Sequence, residues 1–358
     1  MAIEIELPQG SDALTEFVLF HDRVYASRGA RWQSILPFEL PFLQGQSAFN
    51  ADRTLRPIVA REGGEIVARA VALVDQRYMR HWNERVGHVV QFEAMPGSRK
   101  ATRLVLDAAS EWLAQQGMEA VRAGFGVLEF MFTTDAYEAL PPSFMRHNPA
   151  YYHALLKDAG FETEKGGVDY KIAVRPELVA RWESALEAAR RGGFDIVPLK
   201  DVPESRRVRE FSATWREAFA SHWGISPTSD EEYAEMFAGL APTGVLDTSV
   251  LAYREGTPVG CLWVAPETTF LAATAPGRDV RPDEKLNFLG IGVLEPARRR
   301  GVNLAMASYA YLELVRRGAT HVSYTFVLDD NWPSRRTAEK LGAEVCASYV
   351  AYRRNLRR

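Results

Sequence analysis

The sequence has few of the features that mark exported, membrane-bound or metal-binding proteins. Only two of its 358 residues are cysteine, and Cys261 and Cys346 both lie in apolar, strand-like runs without His or Cys at metal-ligand spacing. This pattern predicts buried, reduced thiols and no metal site. No apolar run approaches the roughly 18 residues of a membrane span, and the N-terminus lacks the charged-then-apolar order of a secretion signal. We expect a cytoplasmic protein with no membrane partner.

A strong charge of either sign is missing as well. The formal net charge is −3, which gives no general attraction to polyanions, so no nucleic acid is expected as a partner. The composition is otherwise ordinary for a globular protein, with 47% hydrophobic residues. A length of 358 residues fits two domains of about 100 to 200 residues each.

The two halves of the chain repeat the same order of local signals. Each has a Gly-centred hairpin turn, an apolar strand, a long helix ending at Gly, another strand and a second helix ending at Gly. In the first half these signals span residues 61–68, 86–93, 99–116, 120–126 and 148–160. In the second half they span residues 254–261, 286–293, 300–317, 321–328 and 331–342.

Alternating strands and helices of this kind predict an α/β or α+β fold, with a mixed sheet in each half and helices packed on its faces. Residues 176–192, rich in Ala, Glu and Arg, read as a helix between the copies. We therefore predict an N-terminal domain over residues 1–175, a linking helix over 176–192 and a C-terminal domain over 193–358.

An arginine-rich turn stands before the long helix of the second half. It reads Arg298-Arg299-Arg300-Gly301-Val302-Asn303, so that three cationic side chains precede a glycine at the helix start. Free N–H groups of a first helical turn attract anions, glycine lets a phosphate approach closely, and arginine adds charge. The turn predicts a diphosphate site, although such turns are also common on solvated surfaces.

This turn resembles the pyrophosphate loop of the GNAT superfamily of N-acyltransferases, (Gln/Arg)-x-x-Gly-x-(Gly/Ala), with Asn303 in place of the last small residue. The segment from Asn331 and Ser334 to Glu339-Lys340-Leu341-Gly342 is similar to that superfamily's Asn-x-x-Ala…Glu-Lys-Leu-Gly. The whole chain also resembles a bacterial group of tandem GNAT-like proteins, a resemblance carried by residues 148–152, 160–161, 223–228 and 328–331.

The resemblance implies two tandem domains, each with a mostly antiparallel twisted sheet in which one strand pair splays apart at the cofactor. An acetyl-CoA or other acyl-CoA would bind the C-terminal half only. The pantetheine would lie on the main chain of Ile291, Gly292 and Val293, the pyrophosphate on Arg298 to Asn303, and the thioester near Asn331 and Ser334. The first copy has Pro96-Gly97-Ser98-Arg99 at the matching turn and lacks the later glycine, so it is interpreted as degenerate.

The two catalytic positions of the family hold unreactive residues in this chain. The family spacing places Asn287 where many members have a glutamate base, and Ala338 where a tyrosine often protonates the leaving thiolate. Asn287 would then hold a water that relays the proton, with His222 or Tyr324 as further candidates for proton transfer. The alternative interpretations are a surface histidine and a core tyrosine. Asp330 reads as a helix cap, and Glu231, Glu232 and Glu235 as a solvated helix start.

Several functions remain open from the sequence. The first is an acyl-CoA-dependent acyltransferase that acylates an amine of a small molecule or peptide, mainly by positioning. The second is a non-catalytic acyl-CoA sensor or scaffold. The third is a tRNA-dependent aminoacyl transferase, against which the acidic balance and the intact arginine turn both argue. A homodimer is compatible with each of them.

Overall fold

The computed structural model describes residues 2–29, 31–142, 144–267 and 280–356. Within these residues, no helix combines the length and the apolar character needed to cross a bilayer.

The first half alternates strands and helices in the predicted order. Its strands are β1 (Ile3–Glu6), β2 (Arg53–Glu62), β3 (Glu65–Asp75), β4 (Val86–Ala94), β5 (Ala120–Ala123), β6 (Phe132–Thr133) and β7 (Glu162–Ala173). Its helices are α1 (Gly10–Val24), α2 (Leu36–Leu43), α3 (Gln76–Trp82), α4 (Arg99–Gln115) and α5 (Tyr152–Asp158).

The second half repeats this order after a helix that follows the first half directly. Its helices are α6 (Pro176–Arg191), α7 (Glu204–Ala218), α8 (Asp230–Leu240), α9 (Val245–Thr248), α10 (Val302–Arg316) and α11 (Trp332–Lys340). Its strands are β8 (Phe194–Pro198), β9 (Val250–Arg254), β10 (Thr257–Ala265), β11 (Phe288–Val293), β12 (His321–Leu328) and β13 (Glu344–Asn355).

The repeat predicted from the sequence is present in the structure. Both hairpins form, β2 with β3 and β9 with β10. Both long helices, α4 and α10, are followed by a glycine at positive φ, Gly117 at 81° and Gly318 at 87°, as expected for a left-handed residue beyond a helix end. The predicted α/β class with mostly antiparallel pairing is confirmed.

The last strands of the two halves are exchanged. The larger sheet has the order β1-β2-β3-β4-β5-β13-β7-β12, so β13 from the second half lies between β5 and β7 of the first. In turn, β7 from the first half pairs with β12 of the second. The short strand β6 also pairs with β13, and a separate sheet has the order β11-β10-β9-β8. Each half therefore completes its sheet with a strand of the other.

This exchange crosses the predicted domain boundaries. Residues 1–175 lack β13, and residues 193–358 lack β7, so neither range contains a complete sheet. The predicted linking helix α6 forms, but it also packs as part of the second half. Its Trp182 is fully buried, and the indole lies 5.2 Å from the ring of Tyr311 on α10.

A buried ion-pair network joins the halves and corrects the interpretation of Glu232 and Glu235 as solvated. Glu232 on α8 is fully buried and contacts Arg53 of β2 and, at 2.7 Å, Arg77 of α3. Arg53 also pairs with Asp75 at 2.7 Å. Glu235 accepts a hydrogen bond from the Ser47 hydroxyl at 2.6 Å. These carboxylates fix α8 against the first half.

Replacing Glu232 by Gln is expected to lower the free energy of unfolding by about 3 kcal/mol, because the buried Arg53 guanidinium then keeps only Asp75 as a counter-charge. The exposed neighbour Glu231 provides a matched control. Urea unfolding of Glu231→Gln should reproduce the wild-type midpoint, and equal midpoints for all three proteins would contradict the assigned role of Glu232.

The two cysteines differ in their exposure. Cys261 in β10 is fully buried, as predicted, whereas Cys346 in β13 is exposed, so the prediction of a buried thiol is wrong there. Desolvation of the Cys346 sulfur by its surroundings still raises the pKa of its thiol to about 12. Within the described residues, no group of three or more His, Cys, Asp or Glu is placed to hold a metal ion.

Candidate functional site

Strands β11 and β12 lie side by side without a main-chain ladder between them. The Asn287 side chain just before β11 bonds the main chain of Ser323, donating to its C=O at 3.0 Å and accepting from its N–H at 2.8 Å. The Thr325 hydroxyl accepts from the Leu289 N–H at 2.6 Å and donates to the Leu289 C=O at 3.0 Å. The strands are thus joined by side chains at their starts, which confirms the predicted adjacent, splayed pair.

Asn287 has a structural task in this arrangement. Its side chain is buried, and both ends of its amide bond the Ser323 main chain. This use of the amide speaks against the predicted role of holding a water for proton relay. The family position of the base is occupied here by a residue that clamps the closed end of the gap between β11 and β12.

The strand geometry decides which β11 groups face the gap. Leu294 donates its N–H to Val259 on the β10 side, whereas Leu289 bonds Thr325 on the β12 side. Main-chain groups alternate in direction along a strand, so Ile291 and Val293 face β12. Within the described residues, nothing bonds the Ile291 main chain on that side, and the Val293 C=O accepts from Arg298 Nε at 3.0 Å.

Gly292 faces the other way, which corrects its predicted main-chain contact with pantetheine. It pairs with Cys261 in the β10–β11 ladder. A Cβ at Gly292 would lie 2.6 Å from the Ala218 Cβ, and one at Gly290 would lie 2.4 Å from the Trp215 ring. Both glycines therefore allow α7 to pack closely on β11.

The arginine turn has the geometry expected of an anion site. Gly301 caps α10 with φ 80°, and its N-terminal end receives no side-chain cap. A Cβ at Gly301 would meet no atom within 4 Å. Arg298, Arg299 and Arg300 are all exposed and form no ion pair with any described residue. The first N–H groups of α10 thus face open space beside three guanidinium groups without a carboxylate partner, of which Arg298 bonds the Val293 C=O.

Two residues of the predicted loop contribute their main chain only. The Val302 side chain is buried in the core. The Asn303 amide donates to the Thr337 hydroxyl of α11 at 2.7 Å. Asn303, the departure from the family pattern, therefore ties α10 to α11.

The end of β12 and the start of α11 place a hydroxyl pair beside this helix. Asn331 caps α11 by accepting from the Ser334 N–H at 3.3 Å, so the predicted capping role of Asp330 is wrong. Asp330 instead pairs with Lys165 at 2.5 Å. The Ser334 hydroxyl lies 2.9 Å from the Tyr324 hydroxyl, and burial raises the pKa of Tyr324 to about 12.

The three predicted catalytic residues do not converge. Tyr324 lies on the sheet face covered by α10 and α11. His222 lies on the opposite face, where its ring contacts Phe219, the residue that covers Gly292. Burial lowers the pKa of His222. Asn287 lies between the strands, so the structure does not assemble a proton relay from these three residues.

The matching gap in the first half is filled by the chain's own side chains. By the same alternation, Phe92 and Ala94 of β4 occupy the positions of Ile291 and Val293, because Met95 donates to Val67 of β3. The Ala94 C=O accepts from Tyr151 at 2.7 Å, and its N–H donates to the Tyr152 hydroxyl at 2.8 Å. Arg146 donates to the Phe92 C=O.

A buried carboxylate anchors these blocking side chains. Glu93 accepts hydrogen bonds from the hydroxyls of Tyr152 at 2.6 Å and Tyr25 at 3.0 Å. Burial alone would raise the pKa of Glu93, but His21 and Arg146 lower this pKa to about 2. The network occupies the strand edge that pantetheine would need, which gives a physical reason for a degenerate first copy.

One buried ionisable residue was not singled out from the sequence. Asp169, in the middle of β7, is fully buried and faces a cavity of about 90 Å³. Strand β7 also carries Glu162, Glu164, Lys165 and Lys171, so one more charged residue gave no local signal, and the partners of Asp169 are set by the strand exchange.

Part of the chain matches a known protein family. Residues 209–343 match the model of the Acetyltransferase (GNAT) family. Protein YghO of Escherichia coli K12 is 20% identical over 331 residues, covering 83% of this chain and 81% of that protein.

Solved structures share the fold over the whole chain. A tandem GNAT protein from the clavulanic acid biosynthesis pathway superposes with a TM-score of 0.58 at 15% identity, covering 99% of this chain and 98% of that one. A GCN5-related N-acetyltransferase from Sphaerobacter thermophilus gives 0.55 at 15% identity, covering 99% and 96%. Residues 209–343 thus match the GNAT family, and the fold of a tandem GNAT protein extends over both halves of the chain.

Proposed function

We propose that the protein is an acyl-CoA-dependent N-acyltransferase that acylates an amine of a small molecule or peptide in the cytoplasm. The cofactor, acetyl-CoA or another acyl-CoA, binds the second half alone. The observation that carries this proposal is the contrast between the two gaps. In the gap beside β11, the Ile291 main chain has no hydrogen-bond partner among the described residues, and the arginine turn is open. The gap beside β4 is instead filled by Arg146, Tyr151 and Tyr152.

The chain's residues would act mainly by positioning the reactants. The main-chain groups of Ile291 and Val293 would hold the pantetheine amides like an added strand, and Arg298 would release the Val293 C=O to turn toward the diphosphate. Tyr324 stays protonated through the neutral pH range and could donate to the leaving thiolate. Ala338, at the family position of that acid, is buried and carries no proton donor.

A binding-only protein is the second candidate, because Asn287 and Ala338 leave both family catalytic positions without acid–base groups. Calorimetry with acetyl-CoA and coenzyme A release with a panel of primary amines separate the two. We expect a stoichiometry near one and amine-dependent release. Binding without release for any amine would favour a sensor, and two equivalent sites would contradict the assignment to the second half.

His222→Ala and Tyr324→Phe are each expected to lower kcat/KM less than tenfold, under about 1.4 kcal/mol. His222 lies on the sheet face opposite Tyr324, and burial lowers its pKa, which favours the neutral imidazole. The profile of kcat/KM between pH 6.5 and 8 should therefore be unchanged in His222→Ala. An ionisation near pH 6 to 7 that disappears in this variant would identify His222 as the base.

A further inference from the structure

The central sheet opens around one buried carboxylate. In β12, Tyr324 pairs with Tyr170 and Val327 with Val168, so two residues stand opposite Asp169. In β13, Val345 pairs with Tyr170 and Ala347 with Asp169, so that Cys346 is an extra residue. Both neighbours of β7 thus bulge at Asp169. Bulges re-aim side chains and interrupt pairing beside functional sites.

The bulge in β12 carries strained backbone. Phe326 has φ 49°, a left-handed conformation that is unfavourable for a bulky residue. Backbone groups of Tyr170 and Phe326 hydrogen-bond the Asp169 carboxylate. Phe326 follows Thr325, which hydrogen-bonds Leu289 of β11, and consecutive Cα atoms are about 3.8 Å apart. Asp169 therefore lies beside the closed end of the gap between β11 and β12.

Asp169 is a buried carboxyl group without a counter-charge at the wall of a cavity. It is fully buried, and its Oδ2 has no hydrogen-bond partner among the described residues. The cavity of about 90 Å³ is bounded by apolar groups such as Leu140, Leu286 and Ala347 and by charged side chains that include Lys171 and Arg281. A buried carboxylate normally has a hydrogen-bonded or cationic partner, so its missing partner indicates a ligand that brings one.

The cations around this cavity are committed elsewhere. Within the described residues Asp169 forms no ion pair, and the neighbouring charges pair as follows: Arg281 with Asp283 at 3.0 Å and Glu284 at 3.3 Å, Lys171 with Asp283 at 3.7 Å, and Arg146 with Glu129. Burial without a counter-charge raises the pKa of Asp169 to about 8.

We propose that the cavity over Asp169 binds the amine end of the acyl acceptor, with the Asp169 carboxylate as the partner of its ammonium group. This inference rests on the proposed acyltransferase function and narrows the acceptor to a primary amine on a small apolar stem. The small volume of the cavity excludes a bulky acceptor group at this point.

The same carboxylate can prepare the amine for attack. An N–H bond of the ammonium breaks and an O–H bond forms at Asp169 Oδ2, leaving a neutral amine and a neutral carboxylic acid. Burial raises the pKa of Asp169 above that of an ordinary aspartate, which brings it closer to an alkylammonium pKa of about 10 and makes this transfer less unfavourable. Asp169 then serves as the base that Asn287 does not provide.

Binding of n-propylamine to the full-length protein, with n-propanol as the uncharged analogue, tests the proposal without any variant and without acyl-CoA. Ligand-observed NMR should show saturable binding of n-propylamine at least tenfold tighter than that of n-propanol. Equal affinity of the two compounds, or no binding of either, would overturn the proposal.

Asp169→Asn preserves the shape of the side chain and is expected to weaken n-propylamine binding at least tenfold and to lower kcat/KM for amines at least a hundredfold. Its affinity for acetyl-CoA should stay within twofold of the wild type. Asp283→Asn, at the same cavity but ion-paired, serves as the control and should keep n-propylamine binding within threefold. Unchanged amine binding in Asp169→Asn would contradict the site. If the wild-type protein does not bind acetyl-CoA, that result would instead contradict the proposed function alone.

Discussion

Gly301→Glu is expected to lower the affinity for acetyl-CoA at least about a hundredfold, equivalent to about 2.7 kcal/mol. Gly301 caps α10 beside three exposed arginines, and a Cβ there would enter open space. A glutamate carboxylate would occupy that space, bond the first N–H groups of the helix and repel the diphosphate. Calorimetric titration measures the loss.

The first half offers a matched control for this substitution. Gly97, at the equivalent turn before α4, has the same φ of 80°, and a Cβ there would also meet no atom within 4 Å. Both substitutions carry a similar backbone cost, on the order of 1 kcal/mol. Gly97→Glu should therefore melt like Gly301→Glu and bind acetyl-CoA like the wild type. Equal losses of affinity in both variants would show that the turn of α10 is not the anion site.

Ending the chain at Ala343 is expected to abolish cooperative folding of both halves. The truncation removes β13, which lies between β5 and β7 and buries Tyr349, Ala351 and Tyr352. Two strand edges and part of two cores would then be exposed to water. Near-ultraviolet circular dichroism and thermal unfolding should show no native transition. A chain ending at Leu356 keeps all of β13 and should unfold like the full-length protein.

Separated halves provide the complementary test of the strand exchange. Residues 1–192 alone should be unfolded or aggregated, because they lack β13, while co-expression with residues 193–358 should restore a folded complex. A cooperative thermal transition for residues 1–192 alone would show that the first half does not depend on the exchanged strand.

The candidate site was only partly predictable from the sequence. The turn from Arg298 to Gly301 lies at the start of α10 as expected, because a glycine and free N–H groups at a helix start are local properties. Gly292 was assigned to the cofactor, yet it serves the packing of α7, since the direction of a main-chain group depends on the partner strand. Glu232 was assigned to solvent, yet it pairs with Arg53, which lies 179 positions away in the chain.

The sequence by itself determined the order of strands and helices, the hairpin turns and the helix ends, because glycine, capping residues and apolar periodicity act over a few residues. Only the tertiary structure decided which strands became neighbours. Strands β7 and β13 follow equivalent helices, and nothing in their local residues selects a partner. Their exchange alone brings Asp169 of the first half to the closed end of the β11–β12 gap in the second, since contacts between distant segments depend on how whole sheets pack.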